Sequence, residues 1–321
     1  MTPGVTGRPG VVFILDRKWY YRSSHSVGSG REQGVNDMGI DSVAVIGSGT
    51  MGRGIAQSAA LWGKRVVLFD LTDDLLHQAA RSIAESIAEG VRRGKTEAGQ
   101  AESANRFMRL TTDLEQAAQA DLVIEAVPED LELKRKVFAR LDVAAPAHTI
   151  LASNTSSLSI SAIAAATQRP DRVIGLHFFN PAHLMKLVEI IRGDLTGEDT
   201  IMLSRTFVEN LGKTPVMCID TPAFIVNRIA RPFYGEAFRM LGERVADPET
   251  IDRLIGSLGF RMGPFELLDL IGLDVNLAVT KSVYDAYFQD PKYRPHPIQQ
   301  RMVDSGRLGR KSGRGFYHYS E

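Results

Sequence analysis

From residue 39 onward the apolar positions fall into short runs separated by stretches with helical spacing. VAVI at 43–46 predicts a buried strand, 51–62 a helix closed by Gly63, and 65–69 a second strand ending at Asp70. Residues 74–91 read as a helix with Ile83 and Ile87 inward, leading into the basic stretch VRRGK. Strands are expected at 122–126, 149–152, 173–177 and in the adjoining KLVEI, with helices at 132–141 and 161–166. Runs that are apolar on both faces, alternating with helices, specify a mainly parallel sheet covered by helices on both sides, an α/β fold. Near Asp220 the alternation stops. TPAFIVNRIARPFYGEAFRML predicts a long helix capped by Thr221, with Pro222 in its first turn and a kink at Pro232. DPET predicts another, capped by Asp247, and GPFELLDLIGLDVNLAVTKSVYDAYF two more.

With 321 residues the chain exceeds one ordinary hydrophobic core. The expected division is a poorly ordered extension over 1–38, a nucleotide-binding domain over 39–219, and a helical substrate-binding domain over 220–321. Within the first segment VVFILD is apolar enough for a short strand but too short for a signal-peptide core, and Met38 stands just before the first convincing core strand. The helical segment is small for its apolar stripes, so one stripe is expected to meet a second subunit and form a homodimer, the alternative being that it packs only on its own nucleotide domain. Equal numbers of basic and acidic side chains, 38 of each, give no global field for nucleic acid or an anionic membrane. The lone cysteine, Cys218, fits a reducing compartment, and no apolar run approaches the roughly 20 residues that span a bilayer. A soluble cytoplasmic protein is expected.

Gly47, Gly49 and Gly52 carry the spacing of a dinucleotide fingerprint between a strand and a helix. The first permits the turn, the second admits pyrophosphate to the backbone, and the third lets helix and strand pack closely. Amides at the helix start, at Thr50 and Met51, face the phosphates. Asp70, at the end of the second strand, suits a ribose diol and repels a 2′-phosphate; Leu71 and Thr72 follow where a phosphate reader would want arginine. NAD is therefore the expected cofactor in a Rossmann-like domain.

Ligands in such sheets gather beyond the strands' carboxyl ends, where NTSS (from Asn154) and HFFNP (from His177) begin. A histidine there serves as a proton-transfer group, half a metal site, or a structural side chain. His183 and Cys218 do not complete a zinc spacing, so no metal is expected. Ser156 lacks the glycine-flanked elbow of a nucleophile and reads better as a hydroxyl donor, with Asn227 a second donor; either also suits a helix cap or an interdomain hydrogen bond. Glu189 can take the other ring hydrogen of His177 and stabilise an imidazolium.

Between Asp41 and Tyr319 the strings GSGTMGRGIA, EAVPEDLELKRKVF, ASNTSSLSI, HFFNPAHLMKLVEI, TPAFIVNR, MGPFELLDLIGLD and GRKSGRGFY occur in one order. The chain thereby resembles the L-3-hydroxyacyl-CoA dehydrogenases, also called 3-hydroxybutyryl-CoA dehydrogenases. The resemblance implies reversible NAD-dependent oxidation of (S)-3-hydroxyacyl-CoA to 3-oxoacyl-CoA. It implies His177 as general acid/base, Glu189 as its partner, and Ser156 and Asn227 near the reacting oxygen. Glu129, Lys134 and Asn154 join the cofactor residues, and Lys95, with Arg92 and Arg93 nearby, is implied as a CoA contact. AHL between HFFNP and MKLVE replaces a common proline and valine, which puts His183 either in the acyl pocket or at the surface. The tail is similar to bacterial members that act on 3-hydroxyadipyl-CoA. Dehydrogenases of CoA-free acids such as gulonate share the fold and much of the His–Glu arrangement, and lens crystallins show that a relative can serve a structural role; retention of all four candidate catalytic residues speaks for an enzyme.

Overall fold

The computed structural model describes residues 39–319. The expectations for 1–38, including a strand at VVFILD, fall outside them.

The first part runs β1 (Ser42–Ile46), α1 (Thr50–Leu61), β2 (Arg65–Phe69), α2 (Asp73–Arg92), α3 (Ala98–Phe107), β3 (Met108–Thr111), α4 (Leu114–Ala117) and β4 (Leu122–Glu125). It continues through α5 (Leu131–Ala144), β5 (Ile150–Ser153), α6 (Ile160–Ala164), β6 (Val173–Phe178), β7 (Leu187–Arg192), α7 (Glu198–Asn210) and β8 (Thr214–Ile219). The strands form one sheet in the order β3-β2-β1-β4-β5-β6-β7-β8. Neighbours are parallel except β6 and β7, which run antiparallel with His177 opposite Glu189.

Both faces are covered, as the continuous apolar strands require. Val43 and Val45 pack with Ile55, Leu76 and Phe207 on one face. Ala44 and Ile46 pack with Leu114, Phe138 and Ile163 on the other. This is the period-2 alternation of a strand, used twice because neither side meets water. Strand order reverses at β1, and the crevice at the carboxyl ends of β1 and β4 is the switch point where such sheets receive ligands.

The remainder is helical: α8 (Val226–Gly242), α9 (Pro248–Ser257), α10 (Pro264–Ile271), α11 (Leu273–Ala286) and α12 (Pro297–Asp304). Phe238, Phe265, Leu268 and Leu273 centre its own core. The Asp247 side chain accepts from Thr250 N at 2.7 Å and caps α9, as its position before Pro248 predicts.

One helix start differs from the sequence reading. Residues 221–225 turn instead of beginning α8, with Ala223 (φ 66°) and Phe224 (φ 52°) in the left-handed region and Phe224 buried. The Thr221 hydroxyl points to Ile219 O at 3.4 Å and does not cap the helix. The reason is a stronger acceptor: the first amides of α8 meet the Glu189 carboxylate, a charge-assisted bond that a hydroxyl does not match. Each left-handed residue costs about 1–2 kcal/mol, offset here by burial of Phe224 against the sheet.

Candidate active site

The crevice begins at the glycine turn. Gly47 has φ 101°, its N–H donates to Phe69 O at 2.9 Å, and a Cβ would stand 2.9 Å from Ala126 O. At Gly52 a Cβ would fall 1.8 Å from Gly47 O, so only glycine allows α1 to lie this close to β1. Gly49 has nothing within 4 Å on its Cβ side, which leaves room for a phosphate to approach. It caps α1 without a side-chain hydrogen bond, and no acidic residue stands in the first turn. The amides of Thr50, Met51 and Gly52 therefore have no partner within the helix and suit the pyrophosphate of a dinucleotide.

Asp70 stands beside this turn. Its Oδ2 accepts from Ser48 N (2.7 Å) and Ser48 Oγ (2.5 Å), and its Oδ1 from Leu71 N (2.7 Å). The carboxylate thus also holds the glycine turn, with Oδ1 the less engaged oxygen. Beyond it Thr72 caps α2, and Asp73 and Asp74 fill that helix's first turn, an arrangement hostile to a 2′-phosphate. Ser48 was not singled out in the sequence; its signal was a hydroxyl between the first two glycines.

His177 and Glu189 face each other across β6 and β7. The Nδ1–Oε2 distance is 2.7 Å, and both side chains are almost wholly buried, at 7% and 1% exposure. Glu189 Oε1 accepts from Ile225 N (3.0 Å) and Val226 N (2.8 Å), so the start of α8 fixes the carboxylate in place. A carboxylate only accepts; Nδ1 must carry the hydrogen, which leaves the Nε2 lone pair free. Phe179 and Phe224 flank the ring, with centroids 4.3 and 5.9 Å away.

A second carboxylate organises the loop after β5. Glu129 Oε1 accepts from Thr155 Oγ1 (2.6 Å), Ser156 N (2.8 Å), Ser156 Oγ (3.2 Å) and Ser157 N (3.2 Å). Burial works to raise its pKa, but the Lys134 charge and these bonds prevail and hold it below the usual carboxylate range. Lys134 is itself buried, 2.6 Å from Glu125 and 3.4 Å from Glu129 Oε2. Burial dominates at Glu125 and raises its pKa despite Lys134. Lys134 therefore meets carboxylates under the loop, and Glu125 is a participant that sequence reasoning missed because its strand read as core.

Two amides connect the pieces. Asn154 Oδ1 accepts from Phe178 N at 2.9 Å, tying the β5 loop to the strand end beside His177. Asn227 Nδ2 donates to Ser156 O at 3.2 Å, joining α8 to the same loop. Ser156, Asn227, Glu189 and His177 thus lie along one connected network. Lys95 does not join it: the residue is exposed on the turn after α2, where Arg92 and Arg93 both pair with Glu89. His183 faces α2, with Nε2 3.4 Å from Ser86 Oγ; burial and then Lys213 lower its pKa. Among the described residues no three His, Cys, Asp or Glu side chains group to hold a metal ion, and no helix is long and apolar enough to cross a membrane.

Comparison with known proteins matches both halves of the chain to one family. The NAD-binding domain of 3-hydroxyacyl-CoA dehydrogenase matches residues 42–221, and the C-terminal domain of the same family matches 224–319. The chain is 49% identical to the 3-hydroxyadipyl-CoA dehydrogenase of Escherichia coli over 87% of its own length, spanning 59% of that longer protein. It is 43% identical to a probable 3-hydroxybutyryl-CoA dehydrogenase of Bacillus subtilis, covering 88% of this chain and 99% of the relative. The crystal structure of (S)-3-hydroxybutyryl-CoA dehydrogenase from Ralstonia eutropha superposes with a TM-score of 0.83 at 42% identity, covering 88% of this chain and all of that one (100%). The cradle, the sheet and the matches over both halves converge: the chain belongs to the NAD-dependent 3-hydroxyacyl-CoA dehydrogenase family.

Proposed function

We propose that the protein interconverts (S)-3-hydroxyacyl-CoA and 3-oxoacyl-CoA, with His177 as the proton-transfer group. The observation that carries this reading is the buried His177–Glu189 pair, whose carboxylate is held by the first amides of α8. Bound NAD supplies the hydride acceptor for oxidation and, when reduced, the donor for the reverse reaction. In oxidation His177 Nε2 takes the proton of the substrate's 3-hydroxyl; in reduction the imidazolium returns it. Glu189 keeps Nδ1 protonated and offsets the charge the ring gains. Ser156 Oγ and Asn227 Nδ2 are the donors assigned to the reacting oxygen, each turning from its present partner, Glu129 and Ser156 O respectively.

Gly47, Gly49, Thr50, Met51, Gly52 and Asp70 are assigned to the adenosine and pyrophosphate end of NAD. Asn154 and Glu129 are assigned to its nicotinamide end, with Lys134 positioning Glu129. Lys95, exposed and without an ion pair among the described residues, is assigned to the CoA phosphates. A homodimer through the helical half is supported by exposed apolar side chains there, among them Leu258, Phe260 and Val275. A cytoplasmic setting is the location we assign. Turnover separates the reading from its rivals: acetoacetyl-CoA should be reduced and 3-hydroxybutyryl-CoA oxidised, while gulonate and free 3-hydroxybutyrate should not react. Equal or better rates with the CoA-free acids would overturn it. Light scattering at twice the chain mass would support the dimer, and a clean monomer would contradict it.

A further inference from the structure

Arg231 lies on α8 and is 5% exposed, yet no carboxylate pairs with it among the described residues. Its Nε donates to Asn227 O at 3.2 Å, and Nη1 donates to Asn276 O (3.0 Å) and Thr280 Oγ1 (2.8 Å). The guanidinium lies 5.2 Å from the centroid of the Tyr234 ring. A guanidinium has five N–H donors, and these bonds leave both on Nη2 without a hydrogen-bond partner among the described residues. Asn276, whose backbone oxygen accepts from Nη1, has a buried Nδ2 with no hydrogen-bond partner among the described residues. The Asn276 Oδ1 is already taken by Gln299 Nε2 at 3.0 Å. A buried positive charge with no carboxylate beside it is costly unless an anion completes it, and so is a buried amide N–H without an acceptor.

The position relates Arg231 to the residues assigned to the reacting oxygen. Arg231 is one turn beyond Asn227 on the same face of α8. Its guanidinium folds back toward the helix start, the end that holds Glu189 and reaches Ser156. One helical turn rises about 5.4 Å. Three carbon–carbon bonds of about 1.5 Å each carry an acyl chain from C3 to a C6 carboxyl over a comparable distance.

We infer that Arg231, with Asn276 beside it, receives a carboxylate at the far end of the acyl chain, so that the preferred substrate is a dicarboxylic 3-hydroxyacyl-CoA such as 3-hydroxyadipyl-CoA. The inference rests on the proposed 3-hydroxyacyl-CoA activity and deepens it. Burial lowers the arginine to about 10, with Tyr234 acting against it, so the side chain is still charged at neutral pH. Arginine also suits the task by shape, because its planar fork matches a carboxylate through two parallel bonds. The bonds to Asn276 O and Thr280 fix that fork against α11 and leave Nη2 for the ligand.

The test compares two substrates with the same number of carbons, (S)-3-hydroxyadipyl-CoA and (S)-3-hydroxyhexanoyl-CoA, by kcat/KM. The full-length wild type should favour the dicarboxylic substrate by about tenfold or more. In Arg231→Met that ratio should fall by roughly 30-fold or more, as loss of a buried charge partner implies. Arg231→Lys should keep part of it. The ratio cancels general damage to the fold; a purely structural arginine would depress both substrates together and leave the ratio unmoved, which would overturn the inference. Should Arg231→Met fail to fold, the wild-type ratio decides alone, and a wild type that prefers the methyl-ended chain overturns it. Turnover of 3-hydroxybutyryl-CoA without preference for the carboxyl end would sink this inference and spare the proposed activity. No turnover of any of the three would sink both.

Discussion

Glu189→Gln changes one atom's chemistry and almost none of its volume, so its effect follows closely from the geometry. The wild-type carboxylate serves three donors: His177 Nδ1 at 2.7 Å, Ile225 N at 3.0 Å and Val226 N at 2.8 Å. A glutamine has one acceptor oxygen, which the two helix amides claim. Its NH2 then faces Nδ1, and the ring must present a lone pair there, moving the hydrogen to Nε2. In oxidation Nε2 would then hold a proton where it should take one. The imidazolium also loses a buried opposite charge, worth about 4 kcal/mol for charges roughly 4 Å apart at an effective dielectric near 20. That corresponds to roughly a 10³-fold slower step, inside the 10²–10⁴-fold range of general acid–base groups. The assay is kcat for oxidation of 3-hydroxybutyryl-CoA, protiated and deuterated at C3, with a melting curve to show that the variant is folded. The isotope effect shows whether chemistry limits the rate. A folded Glu189→Gln enzyme within tenfold of wild type, with a full isotope effect, would refute the assigned tautomer and charge roles.

Asp70→Ala should weaken NAD binding by about 1.5–3 kcal/mol, the worth of a hydrogen bond to a charged group, and NADP by less; equal losses by titration would show that Asp70 only holds Ser48. Gly52→Ala puts a methyl 1.8 Å from the Gly47 carbonyl oxygen. Backbone must then move, and overpacking of roughly 1–3 kcal/mol should lower the melting temperature and weaken NAD binding; an unchanged melting curve would contradict the close packing. The Cys218 thiol is pushed up to about 12 by burial and by the neighbouring Glu189 and Asp220 carboxylates. Because the reactive form is the thiolate, a raised pKa starves it at a given pH, by roughly 10³-fold against an ordinary cysteine near 8.5. Iodoacetamide labelling of the native protein should be correspondingly slow and quicken only in strong alkali; labelling as fast as that of a free thiol would contradict the shift.

Much of this was legible along the chain because it is local. Glycine spacing reports directly on a turn and a close approach, and Gly47 and Gly52 meet backbone as their positions imply. His177 and Glu189 were legible as a pair because both sit on strands whose apolar neighbours mark them as buried. What stayed hidden depends on partners distant in sequence. The start of α8 was misplaced because Pro222 after Thr221 imitates a capped first turn, whereas the amides of Ile225 and Val226 go to a carboxylate 36 and 37 residues earlier. Also missing from the sequence pattern were α3, β3, α4, α7, β8 and α12: β3 and β8 close the two edges of the sheet, and half-exposed edge strands carry a weaker pattern than buried ones. Arg231 looked like any helix-surface cation. Its burial is set by α11, 45 and 49 residues on, and no local pattern announces it.

Whether His177 moves the proton is decided by His177→Gln. Glutamine keeps a polar side chain of similar reach and has no basic nitrogen near neutral pH. Single-turnover oxidation of 3-hydroxybutyryl-CoA by the NAD-loaded protein, with hydrogen and then deuterium at C3, measures the chemical step apart from product release. The rate should fall at least 10²-fold, with the isotope effect retained and the NAD dissociation constant nearly unchanged. A variant that transfers hydrogen at close to the wild-type rate, with that same isotope effect, would place the proton-transfer group elsewhere.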